Sequence, residues 1–144
     1  MAYSSLTSVN GGFPYKDRLS EASGYISWVK EHRYGIRFTF IDHNLNFNYP
    51  SKSKGLWSVK NALVNSKGKV VTVLYKANEG RLPIKPENEY HNVFEIIENE
   101  NVIRSYDQAQ KAWKSDNKLL PIIIISFLLG GPYIWWQYGR NKNA

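Results

Sequence analysis

The chain has 144 residues and carries 19 lysines and arginines against 12 aspartates and glutamates, a formal charge of +7. With 42% hydrophobic and 15% aromatic residues it can bury a core, which excludes global disorder, and its length allows one domain with an appendage rather than two domains. Cysteine is absent, which excludes disulfide staples, thiol nucleophiles and thiolate metal centres.

Residues 1–18 are rich in Ser, Asn, Gly and Tyr, with Gly11, Gly12 and Pro14 as breakers. They read as a flexible N-terminal arm or an added edge strand. A β-domain is expected over 19–104. In 23–31 the alternation is partial, with Tyr25 against Ile26 and Trp28 followed by Val29. In YGIRFTFID, Ile36, Phe38 and Phe40 share one face, while Arg37 and Thr39 take the other. That period of two marks a half-buried strand. Asp42, His43 and Asn44 supply turn chemistry. Leu45, Phe47 and Tyr49 then point inward and Asn46 and Asn48 outward, so the two runs form a hairpin.

Pro50 to Lys54 form a basic loop, and 55–66 suit a short helix or a turn-rich crossover. Residues 69–76, KVVTVLYK, read as a strand apolar enough to be buried on both faces. ANEGRLPIKP, with two prolines, reads as an edge or a connection. HNVFEII and NVIRSY flank Glu98-Asn99-Glu100 and predict a second hairpin. Over 105–118 a connecting amphipathic helix is expected. Ser105 and Gln108 form a capping-box pattern, Asp107 sits in the first turn, and Lys111, Lys114 and Lys118 lie toward the end. Tyr106, Ala109 and Trp113 share one face, placing Trp113 on the barrel or at a membrane surface. The expected fold class is mainly β: a small antiparallel barrel or bent sheet of five to six strands, followed by that helix.

Leu119 to Trp136 run eighteen residues without a charge, and 119–138 are long enough for one C-terminal transmembrane helix of about 30 Å. Tyr133, Trp135, Trp136 and Tyr138 cluster at one end, and Lys118 and Arg140 close the two sides, as interfacial residues do. Ser126 and Gly130 have the small-residue spacing of a helix-pairing face. Residues 139–144 form a short basic tail. The N-terminus has no apolar leader, and Arg104, Lys111, Lys114 and Lys118 precede the apolar run, while Arg140 and Lys142 follow it. Both features place 1–118 on the cytoplasmic side of a cell inner membrane, in a single-pass, tail-anchored arrangement.

Residues 24–29 (GYISWV), 34–40 (YGIRFTF) and 68–75 (GKVVTVLY) followed by Pro83 resemble a family of uncharacterised bacterial membrane-anchored proteins. There a small β-domain is tied to the bilayer by one or two helices. The resemblance covers about 60 of the 144 residues; this chain departs from the pattern by lacking a first helix and by adding the hairpin and helix of 90–117. The resemblance implies a bacterial inner-membrane setting and neither a reaction nor functional residues.

No catalytic constellation is recognisable. His32, His43 and His91 are scattered without metal-ligand spacing, there is no G-x-S-x-G elbow, and Glu95, Glu98 and Glu100 surround a turn where a solvated face is expected. No residue pattern calls for a metal or a cofactor. The charge does suggest a surface. All but Arg140 and Lys142 of the basic residues lie in 1–118, where Lys52, Lys54, Lys60, Lys67 and Lys69 surround Trp57. That stretch suits a partner protein or an anionic lipid surface. The expectation is therefore a non-enzymatic adaptor or accessory module whose partners are the bilayer and another protein. The alternative is a membrane-tethered nucleic-acid-binding barrel, using basic and aromatic side chains on a single strand.

Overall fold

In the computed structural model of the protein, the described residues are 12–77 and 89–118. The strands are β1 (Ser20–His32), β2 (Gly35–Phe40), β3 (Asn46–Pro50), β4 (Val70–Tyr75), β5 (Tyr90–Glu98) and β6 (Asn101–Arg104). Helix α1 is Leu56–Asn65, and residues 106–118 are helical (α2). Short 3-10 turns, Lys16–Arg18 and Ser51–Ser53, precede β1 and follow β3.

The strand order is β3-β2-β1-β4-β5-β6, and a further pairing joins β3 to β5. That parallel pairing, Asn46 with Tyr90 to Asn48 with Asn92, closes five strands into a barrel; β6 is an extra strand on the outside of β5. Every other pairing is antiparallel. A three-stranded meander, a helix, then two more strands with the third and fifth side by side is the connectivity of the OB-fold barrel.

Strand β1 makes this closure possible. Its first half pairs with β4 from Ser20–Tyr75 to Tyr25–Val70, and its second half pairs with β2 from Ile26–Phe40 to His32–Gly35. Between the halves the strand must bend. The register slips between Ile26 and Trp28, which is a bulge. The bulge puts Ile26 and Val29, three apart, toward the core, and so explains why the alternation in 23–31 is only partial. Gly24 lies at the same bend. A Cβ there would stand 2.8 Å from the Phe40 ring, whose residue is buried. The missing side chain lets that ring lie across β1.

Strands β2 and β3 follow the expected alternation. Ile36, Phe38, Phe40, Phe47 and Tyr49 are all buried, with Phe38 opposite Phe47 and ring centroids 5.4 Å apart. Gly35 starts β2 opposite Pro50, where a methyl would overlap the Tyr49 carbonyl oxygen. Strand β4 departs from the expectation of burial on both faces. Val71 and Val73 are buried, Thr72 and Leu74 are half-buried and Val70 is exposed. Its outer face is only partly covered, as is normal in an antiparallel barrel. Helix α1 plugs the core with Val59 and Leu63, one turn apart.

A second, smaller core lies on the far side of β5. Phe94 points there and meets Phe13, Tyr106 and Ala109, with Leu19 and Trp113 packed around them. Phe13 contacts the rings of Phe94, Tyr106 and Trp113 at 5.0, 5.2 and 5.6 Å. Of the two sites open to Trp113, the structure shows packing on the barrel. The capping box is present: the Gln108 N–H donates to Ser105 Oγ (3.2 Å) and the Ser105 N–H to Gln108 Oε1 (3.1 Å). Glu95 is not the solvated side chain expected from its neighbours. Its carboxylate accepts the Tyr106 N–H at 2.9 Å, at the positive end of α2, and pairs with Lys16 at 3.5 Å. Within the stretch read as a flexible arm, Phe13 is buried and the Pro14 carbonyl accepts the Tyr106 hydroxyl at 2.8 Å.

The second hairpin turns through Asn99 and Glu100, both with positive φ, as a two-residue hairpin turn demands. Among the described residues no helix is long and apolar enough to cross a membrane. The transmembrane reading of 119–138 and the basic tail 139–144 lie outside the described residues, as do Tyr133, Trp135, Trp136, Tyr138, Arg140, Ser126 and Gly130. Gly24→Ala should force the Phe40 ring aside and lower the unfolding free energy by about 1–3 kcal/mol. Denaturant unfolding followed by tryptophan fluorescence, with the slope unchanged, checks this.

Candidate functional site

The barrel interior is filled by aromatic and branched side chains, so recognition falls to its outside. The strand period of two that sends Ile36, Phe38 and Phe47 inward sends their neighbours outward. Registers across β1, β2, β3 and β5 set these neighbours in two rows. One row is Trp28, Thr39, Asn46 and Tyr90; the other is Lys30, Arg37, Asn48 and Asn92. Beyond the second row, His32 faces Gly35 across the two-residue turn Arg33-Tyr34.

Trp28, Lys30, His32, Arg37 and Tyr90 line an open cleft of about 410 Å³. The Arg37 guanidinium lies 4.2 Å from the Tyr90 ring centre. Stacking of this kind fixes the fork while leaving its edge N–H groups available for an anion. Arg37 Nε and Asn48 Oδ1 are buried with no hydrogen-bond partner. The Asn48 Nδ2 group donates to Asn92 Oδ1 at 2.9 Å, which clamps the β3–β5 closure at the floor of the face. Thr39 donates to the Leu45 carbonyl at 2.9 Å. The Tyr34 N–H reaches His32 Nδ1 at 3.4 Å, and the Arg33 guanidinium stands 5.4 Å from the Tyr34 ring.

The two rows hold no acidic residue. Among the described residues no carboxylate pairs with Lys30, Arg33 or Arg37. Glu31, the acid next in sequence, alternates away and binds Lys60 of α1 at 2.7 Å. Trp28 is 37% exposed and Tyr34 62%. The face therefore presents cations and rings together over a rigid sheet.

The basic stretch picked from the sequence is distributed differently. Lys60 is paired with Glu31, and Lys69 with Glu98 at 3.2 Å. The Ser66 hydroxyl and then the Lys69 ammonium hold the Glu98 carboxyl below its usual range. Lys67 is exposed in the turn before β4. Lys52 and Lys54 lie together in the loop after β3, with Trp57, 79% exposed, at the start of α1. The Lys52 ammonium stands 5.2 Å from the Trp113 ring, so this loop runs along α2. Lys118 is exposed at the last described position of that helix.

That loop is held from beneath. The Tyr49 hydroxyl donates toward the carbonyls of Ser53 (3.1 Å) and Lys54 (2.6 Å), and Arg104 of β6 also donates to the Ser53 carbonyl. Burial pushes the Tyr49 pKa up to about 12, against the pull of Arg104. Among the described residues no three His, Asp or Glu side chains cluster as metal ligands.

Sequence reading placed Arg37, Thr39, Asn46 and Asn48 outward but gave them no role. The sequence pattern marks Trp28 only as a strand residue and His32 only as one of three scattered histidines, and it gives no role to Lys30 or Tyr90. The available signal was the same alternation carried back into β1. Tyr90 had no local signal, because it reaches the face only through the closure of β3 on β5. Comparisons with family models, with curated proteins and with solved structures give no match to this chain. The geometry of the face therefore has to carry the functional reading.

Tyr49 predicts a defined alkaline response. Above pH 10 the unfolded chain releases this proton while the folded chain keeps it to about 12. The unfolded state then binds fewer protons, so stability falls as pH rises across that window. In Tyr49→Phe the fall should be shallower than in the wild type, although the variant starts less stable. Unfolding midpoints between pH 9 and 12 measure the difference.

Proposed function

We propose that the protein is a non-enzymatic accessory module held at a bilayer, whose outer β1–β2–β3–β5 face recognises an anionic partner. The observation that carries this reading is the convergence of Lys30, Arg37, Trp28, His32 and Tyr90 around one cleft, with no acid in the two rows. Cations set beside rings attract an anion by charge and orient it by contact. The stacked Arg37 fork supplies direction, because a guanidinium meets carboxylates, phosphates and sulfates through paired N–H bonds.

The anchor is the uncharged run from Leu119 to Trp136. It supports a single-pass attachment with the barrel on the cytoplasmic side, in keeping with the bacterial inner-membrane family that the strand pattern resembles. Lys52, Lys54 and Trp57 then suit the rim of the bilayer. Their loop lies beside Trp113, and α2 leads toward the apolar run only six residues further on. Basic side chains near an anionic leaflet contribute about 1 kcal/mol each.

Two measurements test the reading. The full chain should stay with the membrane pellet after carbonate extraction, and deletion of 119–138 should release it; a full chain in the supernatant rejects the anchor. Full-length protein in neutral-lipid nanodiscs should bind heparin, a model polyanion. Lys30→Ala with Arg37→Ala should weaken that binding at least tenfold, whereas Lys67→Ala should leave it unchanged. Equal binding by all three proteins rejects the face.

A further inference from the structure

We infer that the anionic partner of this face is single-stranded nucleic acid. This rests on the reading of the β1–β2–β3–β5 face as a recognition surface and adds the class of its ligand.

Three features of the face select among anions. The first is the ring content. Trp28 and Tyr90 lie on one row, and Tyr34 extends from the β1–β2 turn beside the other. Trp28 and Tyr34 are exposed despite their size. A phosphate or sulfate group alone makes no use of such rings. A base offers a flat π-face to each, and one base stacked on a ring accounts for a severalfold to hundredfold gain in affinity. In a duplex those faces are already stacked on one another, so only an unpaired strand can present them.

The second feature is the interleaving of charge and ring. Lys30 sits two residues from Trp28 on the same face of β1, and Arg37 is stacked on Tyr90. Arg33 lies against Tyr34 in the turn. Each ring thus has a cation beside it, as a strand that alternates base and phosphate requires. A bilayer surface calls for a different arrangement, in which apolar side chains protrude and cations surround them. That description fits Trp57 with Lys52 and Lys54, and not an open cleft in which the Arg37 and Arg33 guanidinium groups lie against the Tyr90 and Tyr34 rings.

The third feature is size. Trp28 to His32 spans about 13 Å along β1, and the four strands span about 14 Å across. That area takes a few nucleotides. The Asn48–Asn92 amide pair and Thr39 make the floor polar throughout. Such a floor accommodates base edges and does not favour an acyl chain or an apolar peptide.

The test uses full-length protein in phosphatidylcholine nanodiscs, with fluorescent twelve-residue oligo(dT) and oligo(dA) and a duplex of the same length. The single strands should bind more tightly than the duplex, with affinity falling as salt rises by a slope of about −0.7 for each phosphate neutralised. Trp28→Ala should lose tenfold or more, while Trp28→Phe keeps most of the affinity. Arg37→Ala should weaken binding and make the salt slope shallower by about 0.7. Unfolding midpoints of the variants separate loss of the ring from loss of the fold. A duplex that binds as well as the single strands, or a folded Trp28→Ala that binds like wild type, overturns the inference. Binding of heparin through Lys30 and Arg37 without binding of oligonucleotides also overturns it, yet leaves the polyanion face standing. Failure to bind either polymer removes both.

Discussion

The structure depends on one strand serving two sides of the barrel. Strand β1 pairs with β4 along its first half and with β2 along its second. A straight strand of this length would lie in an open, twisted sheet with both edges unpaired. The bend at Gly24 and the bulge after Ile26 turn the sheet back on itself, so that β3 arrives beside β5. Closure then buries the Phe38, Phe40 and Phe47 rings against one another, with centroids 5.0 to 6.1 Å apart. The same closure carries Tyr90 to within reach of Arg37. Core and cleft are thus two results of a single change of direction in β1.

What could be read from residues alone follows from how local the determining physics is. The hairpin of β2 and β3 is legible because six inward aromatic and branched residues keep a period of two on either side of a polar turn. The hairpin of β5 and β6 is legible because two apolar runs flank the polar turn Glu98-Asn99-Glu100. The start of α2 is legible because a capping box needs only Ser105 and Gln108. Other features depend on residues far apart in sequence. The parallel pairing of β3 with β5 joins segments separated by more than forty residues and leaves no periodic trace. Glu95 resembled a turn-side acid until the fold set Tyr106 and Lys16 beside it. A valine-rich run suggests a strand buried twice over, whereas β4 buries Val71 and Val73 on one face and leaves Thr72 and Leu74 half-buried on the other.

The same distinction separates the two basic surfaces. Lys52 to Lys69 are adjacent in sequence, and adjacency suggested a patch. In space, Glu31 and Glu98 claim two of these lysines. Lys30 and Arg37 are separated by a turn, and alternation alone turns Arg37 outward without giving it a neighbour, yet the two are register partners. Charges on strands gather across the sheet rather than along the chain, so a sheet surface is best searched by register.

The small core under α2 has a mechanical consequence. Phe13, Phe94, Tyr106 and Trp113 interlock, and Glu95 ties the first turn of the helix to β5. The helix is thereby fastened flush to the barrel wall and is no slack cord leading away from it. Barrel and helix are thereby joined like a plate and its bracket. The cleft then keeps a constant heading relative to the axis of that helix.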